Sequence, residues 1–166
     1  MYAEIKFRNE NALKSYDSEF NHNQLTDILF HRIKNDMSYE DFCALLKRIE
    51  VNTEMRIQHI NEDCFNAIKY CKEKKKTILC ISDFYLPDEE VKTLLNHYGI
   101  TKYLDHICIS SDPLLTKASG RLYKYVINDL QINSDSMAMN GDNNISDYRK
   151  VGKKRIHLIW IDRTEK

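Results

Sequence analysis

Three short stretches carry residue types that could do chemistry, and each follows an apolar run of strand length. Ser82-Asp83 closes Thr77-Ile-Leu-Cys-Ile-Ser82. Ser110-Ser111-Asp112 closes His106-Ile-Cys-Ile-Ser110 and opens a loop that runs to Lys117. Gly141-Asp142-Asn-Asn-Ile-Ser-Asp147 follows Ser136-Met-Ala-Met-Asn140. In open α/β sheets the working residues lie just beyond the carboxyl ends of strands. Asp142, with a second acid at Asp147, suits a hard divalent cation, because Mg²⁺ takes one or two carboxylates together with waters and substrate phosphate. Glycine at 141 permits a sharp turn and a close approach of backbone to ligand. Lys117 would be a point charge for a phosphate or a carboxylate. The Ser82 hydroxyl and the next backbone N–H, that of Asp83, would hold phosphate oxygens. Ordinary readings stand beside these: Asp142-Asn-Asn is also common turn chemistry, Lys117 could be a surface lysine, and Ser82 a core hydroxyl bonded to backbone.

The elements that must position these residues follow from punctuation and periodicity. All four glycines and both prolines lie after residue 85, so the first half is expected to be helical. Leu25, Ile28, Leu29 and Ile33 keep one helix face. Ser38-Tyr-Glu-Asp41 fits a capping box that opens a second helix through Phe42, Leu45, Leu46 and Ile49. Helix continues to about Lys74, with a break at Asn61-Glu-Asp63. After Lys76 the period changes. Strands are expected near 77–82, 106–110, 136–140 and 156–161, with helices over 87–99, 122–130 and 145–150 between them. Such alternation implies a Rossmann-like, parallel α/β sheet with right-handed crossovers, preceded by a helical region.

Composition sets the outer bounds. A chain of 166 residues, 42% apolar and 30% charged, is one domain or one domain with an appended subdomain. Lys+Arg and Asp+Glu both number 25, and neither half is basic. A nucleic-acid or anionic-membrane partner therefore gets no support from charge. No apolar run approaches the ~18 residues of a membrane span, and the first ten residues lack the apolar core of a signal peptide. The five cysteines form no CxxC pair and read as reduced thiols of a cytoplasmic protein. The six histidines are scattered, without zinc-ligand spacing.

The order Ser82, Lys117, Gly141-Asp142-x4-Asp147 resembles motifs II, III and IV of the haloacid-dehalogenase-like hydrolase superfamily. The wording Ile81-Ser-Asp-Phe-Tyr-Leu-Pro87, Lys117-Ala-Ser-Gly-Arg-Leu-Tyr123 and Gly141-Asp-Asn-x-x-Ser-Asp147 looks like a bacterial branch with an α-helical cap between motifs I and II. The resemblance implies a cap-like region over 1–75 and a Rossmann-like core over 76–166. It further implies a Mg²⁺-dependent hydrolase acting on a small phosphomonoester. Ser82, Lys117 and Asp147 would serve catalysis, with Ser82, Asp83 and Lys117 on the phosphate, Asp142 on the metal, and Asp147 orienting Lys117 or supporting the metal.

The family's first motif, an Asp-x-Asp after an apolar strand whose first aspartate attacks phosphorus, is not found. Asp17-Ser-Glu19 comes nearest, but the residues before it follow a helical pattern. Asp83 follows a strand, yet Tyr85 stands where the second acid belongs, and tyrosine offers no comparable general acid near neutral pH. The central first strand is therefore expected to be missing, leaving a sheet centre that is either exposed or repaired by a second copy, a partner chain or Tyr2-Ala-Glu-Ile-Lys-Phe7. Two further readings remain open: a catalytically inactive relative kept as a binding or assembly module, and a receiver- or flavodoxin-like binding domain. The helical residues before the first strand count against the last.

Overall fold

The computed structural model describes residues 17, 19–143, 146–147 and 156–160. Three helices come first: α1 (His22–Arg32), α2 (Tyr39–Ile57) and α3 (Glu62–Glu73). Each starts on a side chain that satisfies an otherwise orphaned N–H. Asn21 and Gln24 form a reciprocal capping box, Ser38 accepts from the Asp41 N–H, and Asn61 accepts from that of Cys64. The helical first half is thus as expected. The break comes slightly earlier, with α2 ending at Ile57 and Asn61 capping α3.

Strands and helices then alternate: β1 (Leu79–Ser82), α4 (Asp88–His97), β2 (His106–Ile109), α5 (Arg121–Asp129), β3 (Ala138–Gly141) and β4 (His157–Trp160). All strand pairing is parallel, β1 with β2 from Leu79↔His106 to Ser82↔Ile109 and β3 with β4 from Ala138↔His157 to Gly141↔Trp160. The sequence predicts one parallel sheet with its first, central strand missing. Among the described residues there are instead two parallel pairs, because β1 and β3 share no ladder hydrogen bonds. Every β1 residue is only half-buried, where an unbroken apolar run predicts a strand covered on both faces. The expected pairing of residues 2–7, and most of the expected helix at 145–150, lie outside the described residues.

Two buried clusters hold the layers together. Leu86, Val91, Leu94 and Ile109 are packed by Val51 and Met55 from α2 and by Phe84, Tyr85, Leu95 and Ile107. At about 1.5–3 kcal/mol per buried aliphatic side chain, these four contribute on the order of 6–12 kcal/mol of transfer free energy. Tyr123 and Ile156 form the second cluster, with Ile81, Ile127, Met137 and Met139, and so join β1, α5 and β3. Polar links fix how the helical region meets the core. The Tyr98 hydroxyl lies 3.0 and 2.9 Å from the carbonyl oxygens of Met55 and Gln58 at the end of α2, and Lys47 pairs with Glu90 at 3.0 Å. Asp105 accepts from Lys72 and from the Ile78 N–H just before β1. The five cysteines are free and half-buried, and no described helix is long and apolar enough to cross a membrane.

Candidate functional site

β1 and β3 deliver their carboxyl ends to the same place. Lys117, in the turn segment before α5, reaches from one to the other. Its backbone N–H donates to Asp83 Oδ1 at 2.7 Å, and its Nζ donates to Asp147 Oδ1 at 2.7 Å. Both side chains of the second pair are buried, 13% and 5% exposed, so this ion pair is shielded from the solvent screening that weakens surface pairs.

Asp147 is enclosed by donors. Besides Lys117 it accepts from the Tyr123 hydroxyl at 3.3 Å, the Ser146 hydroxyl at 3.3 Å and the Asn143 N–H at 3.1 Å. Burial, then the adjacent Asp147 charge, push the Tyr123 phenol far above its ordinary value, so Tyr123 stays a neutral donor. Gly141 is required here for space rather than for an unusual φ. A Cβ built on it would meet Asp147 Oδ2 at 2.5 Å and its Cβ and Cγ at 2.6 Å. The expected close approach at this glycine is therefore to the chain's own carboxylate.

The other expected site residues are placed as follows. Ser82 ends β1, its carbonyl accepting from the Ser110 N–H at 2.9 Å. Asp83 is exposed to solvent, yet partial desolvation of its carboxyl among its neighbours pushes it above the usual range against the opposing pull of the Lys117 N–H and charge. Its side chain receives a donor, so any hold on an anion falls to its backbone N–H. Asp142 directly follows β3, half-buried beside this cluster. Lys117, Asp83 and Asp147 are thus in direct contact, with Ser82 and Asp142 next to them at the two strand ends.

The middle stretch behaves differently. Ser110 and Ser111 are wholly buried. Ser110 Oγ accepts from the Phe84 N–H at 3.0 Å and donates to Glu19 Oε2 at 2.7 Å. Ser111 donates to the Leu86 carbonyl at 3.0 Å, and Asp112 accepts from the Asp88 N–H at 3.3 Å. These three residues secure the loop after β1. Sequence reasoning included Asn143 in the third stretch but assigned no site role to Tyr123, Glu19 or Asp17. Asp17 drew attention only as a failed nucleophile, and its carboxylate accepts from Thr116, Ser119 and Arg121.

The donor set can be tested for Mg²⁺. Among the described residues no three His, Cys, Asp or Glu side chains are grouped as a metal cage. Mg²⁺ does not need one, since one or two carboxylates with waters and substrate phosphate suffice. Asp147, with both oxygens receiving donors, is poorly placed as a ligand. Asp142 at the strand end fits that minimal demand.

No protein-family model and no curated protein matches the chain. Solved structures do. An uncharacterized protein from Listeria monocytogenes serotype 4b aligns with TM-score 0.55 and 25% identity over 64% of this chain, which spans 62% of that protein's length. A phosphatase of the haloacid-dehalogenase-like superfamily from Thermococcus onnurineus aligns over 100% of this chain and 80% of its own, with TM-score 0.60 and 14% identity. A superfamily hydrolase from Ehrlichia chaffeensis covers 87% of this chain and 81% of its own, with TM-score 0.52 and 18% identity. With the ends of β1 and β3 bridged by Lys117 and a helical region ahead of a Rossmann-like core, the chain has the haloacid-dehalogenase-like fold.

Proposed function

We propose that this chain is a haloacid-dehalogenase-like hydrolase unit that binds the phosphoryl group of a small phosphomonoester. The observation that carries the reading is the buried Lys117–Asp147 ion pair across the ends of β1 and β3. Lys117 supplies a fixed cation to phosphoryl oxygens, and Asp147 positions it. The Ser82 hydroxyl and the Asp83 N–H donate to the same group. Asp142 holds Mg²⁺, which when bound neutralises charge on the phosphoryl oxygens. Residues 1–75 form the cap-like part and 76–166 the core. The protein works in the cytoplasm, and a homodimer or partner chain completes its sheet.

Covalent phosphoryl transfer requires an attacking carboxylate. The carboxylates that surround Lys117 are committed to other contacts: Asp147 and Asp17 to several donors each, Asp83 to the Lys117 N–H. That commitment favours a second reading, a binding module without turnover. One experiment tests whether this chain by itself turns over as well as binds. The chain and its Asp83→Asn and Asp142→Asn variants are assayed with an aryl phosphate and Mg²⁺, and inorganic phosphate binding is measured by calorimetry. The expected result is phosphate binding with hydrolysis no faster than buffer. Mg²⁺-dependent turnover lost in both variants would make Asp83 the nucleophile and overturn its role as a backbone donor. Absence of phosphate binding would remove the functional reading altogether.

A further inference from the structure

Lys117 lies in a segment that regular structure does little to hold. Residues between β2 and α5 are turns, and Leu114 among them has φ +55°, a left-handed conformation that costs a non-glycine residue free energy and persists only where its surroundings impose it. Asp17 supplies much of that imposition from about a hundred residues away. Its N–H donates to the Leu114 carbonyl at 3.0 Å. Its Oδ2 accepts from the Thr116 N–H at 2.7 Å, the Thr116 hydroxyl at 3.2 Å and the Ser119 hydroxyl, and its Oδ1 accepts from Arg121 Nη1 at 3.0 Å. Contacts thus fall on both sides of Lys117 and leave its own N–H and ammonium to Asp83 and Asp147.

We propose that Asp17 is a positioning residue for Lys117: its carboxylate fixes the 114–121 segment so that the lysine N–H meets Asp83 while its ammonium meets Asp147. The inference rests on the proposed function only in that a positioned Lys117 binds phosphate. A carboxylate is required because both oxygens must accept. In Asp17→Asn one of them becomes an NH₂ group facing either the Thr116 and Ser119 donors or Arg121, and a donor set against donors breaks the grip. Burial raises the Asp17 carboxyl, but the Ser119, Thr116 and Arg121 contacts outweigh it and hold the group below its usual range, so it is ionised at neutral pH.

The test compares the 166-residue chain with Asp17→Asn and with the milder Ser119→Ala. Amide hydrogen exchange at Lys117 is followed by NMR, inorganic phosphate affinity with Mg²⁺ is measured by calorimetry, and thermal unfolding controls for folding. In Asp17→Asn the Lys117 amide should exchange about tenfold faster or more, the scale of losing one charge-assisted bond, while amides of β1 and β2 keep their protection. Phosphate affinity should fall by about the same factor, and Ser119→Ala should shift both in the same direction by less. A folded Asp17→Asn protein with Lys117 exchange and phosphate affinity unchanged overturns the proposal. If Asp17→Asn does not fold, unchanged values in Ser119→Ala overturn it equally. If the unmodified chain binds no phosphate, the functional reading fails, and the Lys117 exchange rates still decide the positioning role.

Discussion

Replacing Gly141 with alanine should loosen the site from within. The added Cβ would sit 2.5 Å from Asp147 Oδ2 and 2.6 Å from its Cβ and Cγ. Relief to an ordinary carbon contact of about 3.5 Å requires a retreat of about 0.9 Å. Asp147 is a short, buried side chain held on several sides, so it cannot swing away freely. If it moves, its 2.7 Å bond to Lys117 lengthens toward roughly 3.6 Å, outside hydrogen-bonding range. Overpacking of this kind typically costs about 1–3 kcal/mol. For a chain of this size, about 2 kcal/mol lowers Tm by about 4–8 °C. Thermal unfolding is measured for Gly141→Ala, Asp147→Gly and the double variant. Because Asp147→Gly removes all three colliding atoms, the Cβ included, Gly141→Ala should be nearly neutral in that background, and the difference between the two costs isolates the clash. An equal cost in both backgrounds, or a Tm unchanged by Gly141→Ala alone, refutes the argument.

Asp147→Asn should destabilise the chain by about 3–5 kcal/mol, the scale of leaving one partner of a buried pair uncompensated, and is read from denaturant unfolding. Asp83→Asn should change stability in a pH-dependent way. Its carboxyl is raised by partial desolvation, so the stability it supports is fully present below the ordinary carboxylate value and is lost as pH rises through the folded value. The variant should therefore gain on the unmodified chain between acid and neutral pH, as measured by Tm at each pH. Asp17 titrates in the opposite sense. Despite its burial its folded carboxyl lies below the ordinary range, so its contribution is present at neutral pH and lost as pH falls through that lowered value. Asp17→Asn should flatten the acid limb of the same stability profile.

Much of this arrangement could be read from residue order because its parts are local. An apolar run ending in Ser82, a glycine before Asp142 and the capping residues Ser38 and Asn61 each act within a few positions of themselves. Lys117 was legible by type, and its link to Asp147 only through the resemblance to the hydrolase superfamily, which left Asp147 either orienting Lys117 or supporting the metal. What stayed hidden is what the fold brings from far away. Glu19 meets Ser110 across 91 residues, and Asp17 meets the Lys117 segment across about a hundred. Neither belongs to a periodic pattern that would mark it. Tyr123 fitted an apolar helix face, and only the third dimension shows that its hydroxyl ends on Asp147. Ser110, Ser111 and Asp112 had the right composition for a site, but the two serines are buried and all three bond to the neighbouring loop.

That loop has a consequence for how the chain can vary. Ser110, Ser111 and Asp112 grip the backbone at 84, 86 and 88 in turn, one residue on one side matched to two on the other. The connection from β1 to α4 is therefore cut to a fixed length by three rungs made from side chains, although it belongs to no sheet. Surface connections ordinarily accept insertions with little loss. A single residue added between 84 and 88 would throw at least one rung out of step and strand a buried serine or an acidic helix start without its partner. Length changes among natural relatives should avoid this stretch and collect elsewhere, which makes it a fixed ruler between the strand and the helix that follows.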